Sequence, residues 1–272
     1  MPARRTSDRG RSADGRSRAA PRAAGGAGVA LRALGVSAEP LRERPRRRRR
    51  RRRRGPDGTR SRGGRTCVGR VAAEVSFQRI EPDALPTETI ALARALIGRV
   101  LVRQRGTSMR AGRIVEVEAY LPNDPASHAF RGKTARNTSM FLAPFHAYVY
   151  RIYGVHFCIN VTSEPAGCGA AVLLRALEPI EGLPLMQRRR GTAAVRDLCR
   201  GPGKLAQAFD IDIRFDGVDL LADRRLWIGE TARRATALGK SPRIGITKAA
   251  RRHLRFYEVG SPFLSGPRAL SP

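Results

Sequence analysis

The chain has 272 residues, with 53 Lys and Arg against 23 Asp and Glu, a formal charge of +30 at pH 7 that points to polyanionic partners. No run of about eighteen apolar residues occurs, so no membrane span is expected. Its four cysteines, Cys67, Cys158, Cys168 and Cys199, form neither a C-x-x-C pair nor a zinc spacing with the four histidines, which predicts a metal-free, cofactor-free protein of a reducing cytoplasm.

Residues 1–70 carry 23 basic and 5 acidic residues, including the nine arginines Arg46 to Arg54, among Gly, Ala, Ser and Pro. They lack the apolar surface to offset ordering entropy and are expected to be disordered, either as an arm on nucleic acid or as an unselected leader. Residues 71–272, still basic, have the length of one domain with a sizeable core. Thr87 is the expected N-cap of a helix through Ala91, Leu92, Ala95 and Leu96 that Gly98 ends. Strands follow at 99–104 and 113–120. In the second, Arg113-Ile-Val-Glu-Val-Glu-Ala-Tyr120, alternation sends Ile114, Glu116, Glu118 and Tyr120 to one face and buries Val115, Val117 and Ala119 on the other. Two acids and a phenol on one strand face read as the wall of a site.

A polar, irregular stretch runs from Leu121 to Asn137. Two alternating runs, Ala147 to Tyr153 and His156 to Val161, flank Gly154 and predict a hairpin with Tyr153 near its tip. A turn centred on 154–155 would set Tyr150 nearly opposite Asn160. Residues 170–177 form an apolar strand holding one charge, Arg175, which beside Glu118 calls for an acidic or anionic partner. Gly201-Pro-Gly-Lys204 opens a helix and lacks the Ser or Thr of a phosphate loop, yet could set Lys204 against a phosphate. Ser241 to Ile246 and Arg255 to Tyr257 read as strand and core, with Arg243 a candidate for DNA-backbone contact.

Taken in order, Gly112-Arg-Ile-Val-Glu-Val-Glu-Ala-Tyr120, the loop with His128 and Arg136-Asn137, Met140-Phe141, Tyr148-Val-Tyr-Arg-Ile-Tyr-Gly154, Leu174-Arg-Ala-Leu-Glu-Pro179, Glu181-Gly182, Gly201-Pro-Gly-Lys-Leu205 and Arg255-Phe-Tyr257 resemble the alkyladenine (methylpurine) DNA glycosylase family. The resemblance runs from about Leu85 to Ser265. Phe145 stands where the family commonly has glycine, and Arg151 where it has an apolar residue.

The resemblance implies an α+β fold: a single compact domain around a curved, largely antiparallel sheet, with flanking short helices and a protruding DNA-inserting hairpin. It implies a monofunctional base-excision enzyme, expected as a monomer, that takes double-stranded DNA containing damaged purines, flips the base and hydrolyses its N-glycosidic bond. Glu118 matches the base that activates water, and Arg175 the arginine that holds that water. Tyr120, His128 and Tyr150 match residues of the base pocket, Asn160 the position that discriminates against guanine, and Tyr153 the intercalating wedge. Arg136, Lys204 and Arg243 are the candidates for the DNA backbone. Two other classes share parts of this pattern: a non-catalytic basic nucleic-acid-binding protein, and a metal-dependent nuclease using Glu116, Glu118, Asp124 and His128.

Overall fold

β3 (Ser108–Tyr120), rich in Val, Ile and Ala between its charges, is the long axis on which the other elements assemble. The computed structural model describes residues 77–233, 235 and 237–266; the expected arginine-rich arm, its boundary at residue 70 and Cys67 lie outside them. One edge of β3 is covered along most of its length by β6 (Ala171–Glu181). The other edge is shared by β2 (Val100–Arg105), against Ser108 to Arg113, and β9 (Arg255–Glu258), against Glu116 to Glu118. Beyond these lie β7 (Leu226–Glu230) and β1 (Gln78–Arg79) on one side, β5 (His156–Thr162) and β4 (Ala147–Ile152) on the other, and β8 (Leu238–Ser241) on β9. Every strand pair described is antiparallel, which makes the architecture α+β as expected.

Among the described residues three short helices, α1 (Thr89–Leu96), α2 (Leu183–Arg190) and α3 (Pro202–Phe209), flank the sheet. Leu92, Ala93 and Leu96 of α1 and Leu205, Ala206 and Phe209 of α3 join one core with Val117, Ala119, Val149, Ile159, Val161, Val172 and Leu174. Burying these branched and aromatic side chains, at about 25 cal/mol per Å² of apolar surface, dominates the stability of the domain. The cap of α1 is Glu88 rather than Thr87: its carboxylate accepts from the N–H groups of Ile90 and Ala91, 3.1 and 2.8 Å away. A charged acceptor at the positive end of a helix outcompetes a hydroxyl one residue earlier. Gly98, at φ +89°, ends the helix as expected.

The simple alternation read for 113–120 breaks in the middle. Pairing between β3 and β6 shifts register between Ile114 and Glu116 and again before Val117. Ile114 therefore packs with Val117 and Ala119 in the main core, while Val115 falls into a small cluster with Ala176 and Leu264. A bulge inserts an extra residue and changes which side chains share a face. Glu116, Glu118 and Tyr120, on the far side of the bulge, stay in phase.

The β4–β5 hairpin centres on Gly154, at the near edge of the 154–155 turn expected from sequence. Tyr153 and Gly154 both have positive φ, +51° and +74°, and Ile152 pairs with His156. Tyr148 is thus the residue opposite Asn160, and Tyr150 stands opposite Cys158. Ser241 ends β8, so 242–246 form a loop, not the strand expected there.

Phe145 adopts φ +70°, the left-handed conformation that glycine enters without steric conflict. Its ring is buried in the main core. The conformation costs about 1–2 kcal/mol, whereas removing a buried Phe side chain costs about 3–5 kcal/mol, so burial outweighs strain. Phe145→Gly should accordingly lower stability by roughly 1–4 kcal/mol in urea denaturation; a more stable variant would show that backbone strain dominates at this position.

Candidate active site

One transverse row of paired residues crosses the sheet: Tyr148 on β4 faces Asn160 on β5, Asn160 faces Leu173 on β6, Leu173 faces Glu118 on β3, and Glu118 faces Arg255 on β9. Side chains in such a row emerge on the same face. Four of the sequence-predicted site residues, Glu118, Tyr120, Arg175 and Asn160, are thereby brought to one side of the sheet, opposite the main core. A cavity of about 160 Å³ opens there, lined among others by Tyr120, His128, Tyr148, Tyr150, Asn160 and Arg175.

Beneath the cavity lies a buried charge network. Glu116 and Glu118 are both wholly inaccessible to solvent, as is Arg255 to within 1%. Arg175 joins the two acids, Nε 3.0 Å from Glu116 Oε1 and Nη1 3.1 Å from Glu118 Oε1. Arg255 Nε donates to the same Glu116 oxygen at 2.7 Å, and Ser265 donates to Glu116 from both its N–H and its hydroxyl. Glu116 is thus a buried counter-charge to two arginines, not the solvated strand acid that sequence alone allows. Burial works against the Arg175 charge, but Glu118 and Glu116 outweigh it and hold its pKa above the usual arginine value.

Glu118 has a different set of partners. The N–H of Ile244 donates to Oε1 at 2.7 Å and the hydroxyl of Tyr120 to Oε2 at 3.0 Å. A carboxylate offers about four acceptor positions. With Arg175 and Ile244 at Oε1 and Tyr120 alone at Oε2, an acceptor position is left on Oε2. Tyr120 and Arg175, its direct neighbours, line the cavity. Burial, then the Glu118 charge, push the Tyr120 phenol well above its ordinary value and keep it protonated as a donor.

The aromatic wall comes from β3, which carries Tyr120, from β4 and from the loop after β3. Tyr148 and Tyr150 project from β4 with ring centres 5.3 Å apart. His128, on the loop after β3, meets Tyr150 edge-on at 4.5 Å, and its Nδ1 lies 2.8 Å from the Tyr148 hydroxyl. His128 stands at the open rim, and desolvation there, then Arg136, draw its pKa below the ordinary imidazole value. The loop is held against the sheet by small side chains: a Cβ on Gly169 would come within 2.4 Å of Ala129 Cβ and 2.6 Å of the Phe141 ring. Asn137 closes it from within, donating to the carbonyls of His128 and Gly132 at 2.9 and 3.1 Å.

Tyr153 sits at the hairpin tip, exposed and at the cavity rim. Arg131, Lys133 and Arg136 on the loop after β3 and Arg151 on β4 are exposed, and Arg136 Nη2 donates to the Arg151 carbonyl at 3.3 Å, tying the loop to the hairpin. Lys204 lies in the first turn of α3, half buried; its neighbours Pro202 and Gly203 meet the cavity and His156. Arg243 departs from expectation. It is buried, and its guanidinium grips Asp124 and the Ala119 carbonyl, so it is not presented to a DNA backbone.

The alternative ligand set also fails to assemble. Among the described residues no three His, Cys, Asp or Glu side chains gather as a metal site. Glu116 and Asp124 each face buried guanidinium groups, whose positive charge opposes a divalent cation. Sequence reasoning passed over Tyr148 as a cavity residue, the backbone N–H of Ile244, and the Asp124–Arg243 and Glu116–Arg255 pairs. Only Arg255 carried a local signal, a charge in a short apolar strand.

Residues 83–262 match the methylpurine-DNA glycosylase (MPG) family. A Mesorhizobium japonicum protein provisionally named as a 3-methyladenine DNA glycosylase is 53% identical over 191 residues, 70% of this chain and 92% of that relative. A Paraburkholderia phytofirmans protein with the same provisional name is 48% identical over 69% of this chain and 88% of its own length. A third, from Methanoculleus marisnigri, is 48% identical over 65% of this chain and 94% of its own length. The chain belongs to the methylpurine-DNA glycosylase family of N-glycosyl hydrolases.

Proposed function

We propose that the enzyme acts on double-stranded DNA, receives a flipped alkylated or deaminated purine in the aromatic cavity, and uses Glu118 to direct water at the sugar carbon. The observation that carries this reading is the setting of Glu118: a buried carboxylate beside an aromatic cavity, with Oε1 fixed by Arg175 and Ile244 and Oε2 accepting from Tyr120 alone. A water accepted there would surrender a proton to Glu118 as its oxygen bonds to C1′. The C1′–N bond breaks as the new C1′–O bond forms, and its electron pair leaves with the purine, giving free base and an abasic site. An N-methylated purine carries positive charge and departs neutral, so it needs no acid; a neutral base such as hypoxanthine needs a proton as it leaves. The electron-rich faces of Tyr120, Tyr148 and Tyr150 favour a cationic ring. Arg175 acts here as a fixed counter-charge that holds the acid and helps orient the water.

We infer duplex DNA as the substrate because Arg151, on β4 two residues before Tyr153, is exposed and is bonded through its carbonyl to the exposed Arg136. Arg131, Lys133, Arg136 and Arg151 can neutralise phosphates while the ring enters the space left by the extruded nucleotide. The left-handed backbone at Tyr153 is uncommon for an aromatic residue and places it at the apex of the turn. Asn160, buried opposite Tyr148, donates Nδ2 to the Tyr148 carbonyl at 2.9 Å, which leaves its Oδ1 to meet an exocyclic group of the base. A purely binding protein would not require the buried Glu118–Arg175 pair beside the aromatic cavity.

Single-turnover excision from duplexes bearing hypoxanthine, etheno-adenine or N7-methylguanine, with EDTA present, tests the reading. The native chain should release base. Glu118→Gln should be slower by about 10²-fold or more while still binding damaged duplex; native turnover by that variant would exclude Glu118 as the base, and no release by the native chain would favour the binding-protein reading. Tyr153→Ser should shift the flipping equilibrium of etheno-adenine, read by its fluorescence, toward the stacked state. An unchanged equilibrium would remove Tyr153 from the wedge role.

A further inference from the structure

Arg243 meets four features of the site at once. Its guanidinium holds Asp124 in a two-pronged contact, Nη1 to Oδ2 at 2.5 Å and Nη2 to Oδ1 at 3.1 Å. Nη1 also donates to the carbonyl of Ala119 at 3.0 Å, between Glu118 and Tyr120. Its Cζ lies 4.6 Å from the centre of the Tyr120 ring, over that ring and outside the cavity lining. The next residue, Ile244, is the one whose N–H donates to Glu118.

We propose that Arg243 is a positioning residue: fixed by Asp124, it sets the plane of the Tyr120 ring and the place of the Ile244 N–H, and through them the orientation of the Glu118 carboxylate. The Asp124–Arg243 pair joins the loop after β3, which carries His128, to the loop after β8, which carries Ile244, so one ion pair fixes two walls of the cavity. Asp124 is itself organised, its Oδ1 accepting from the N–H of Ala126 at 3.0 Å. The planar fork of arginine, able to bind a carboxylate at two points and stack on a ring together, suits this position; an ammonium group cannot do both. A pair serving stability alone could be replaced by neutral or apolar residues without kinetic effect. A clamp could not, because a displacement of about 1 Å at a catalytic group can cost 10²-fold in rate.

The activity arm of the test rests on the glycosylase reading; an amide-exchange arm does not. Arg243→Gln, Arg243→Lys and the neutral double variant Asp124→Asn/Arg243→Gln are compared with the native chain. In Arg243→Gln, single-turnover excision should fall about 10²-fold with little change in duplex affinity. The amide of Ile244 should exchange at least about tenfold faster while those of β2 and β7 keep native protection. Arg243→Lys, which retains charge without the fork, should recover only part of both. Native excision together with native Ile244 exchange in a folded Arg243→Gln chain would overturn the proposal. Should that variant fail to fold, the double variant, which leaves no unpaired charge, carries the same comparison. If the native chain excises nothing, the glycosylase reading fails, and Ile244 exchange alone still decides whether Arg243 holds this loop.

Discussion

Two carboxylates two residues apart on one strand face cannot both be buried unless positive charge is buried with them. That constraint organises this protein. Glu116 and Glu118 lie beneath the cavity, and Arg175 stands between them in contact with both. Isolated, either acid would face a desolvation penalty of several kcal/mol, and the arginine another. Together, with Arg255 and Ser265 completing the shell of Glu116, the charges and donors satisfy one another. The division of labour follows. Glu116, surrounded by donors, holds the network together; Glu118, whose Oε2 accepts from Tyr120 alone, is the acid we propose as the base.

The rest of the site is fitted around that network. Antiparallel register aligns Tyr148, Asn160, Leu173 and Glu118 across four strands, so the aromatic wall and the acid share a face without long-range adjustment. The loops supply what the sheet cannot. His128 arrives on a loop closed by Asn137 and packed over Gly169, and Ile244 arrives on a loop that Arg243 ties to Asp124. Strand residues thus provide the buried geometry, and loop residues provide the rim of the cavity. Arg136 and Arg151, joined between the loop and the hairpin, belong to this outer layer.

Local pattern made several of these features readable from sequence. Alternation after Val115 is regular, so Glu118 and Tyr120 were placed on one face correctly, and a lone charge in the apolar run of β6 pointed to a partner for Arg175. Gly154 marked the hairpin because a tight turn needs positive φ. Features that depend on distant partners left no local trace. The bulge at Ile114–Val117 arises where β3 passes from one neighbour to another, which a period-two pattern does not register. Arg243 reads from sequence as a candidate for the DNA backbone because its partner, Asp124, lies 119 residues earlier. The donation by Ile244 involves backbone, and no side-chain identity encodes it. Phe145 read as a departure from a glycine position; the backbone there keeps the glycine-like conformation while the ring joins the core.

The most direct test of the account is a crystal structure of Glu118→Gln bound to a duplex carrying etheno-adenine. The account predicts the lesion extruded into the cavity against Tyr120, His128 and Tyr150, its C1′ facing the residue 118 side chain, with the Tyr153 ring occupying the gap in the stack. A lesion still stacked within the duplex, with the cavity empty and Tyr153 outside the groove, would contradict it.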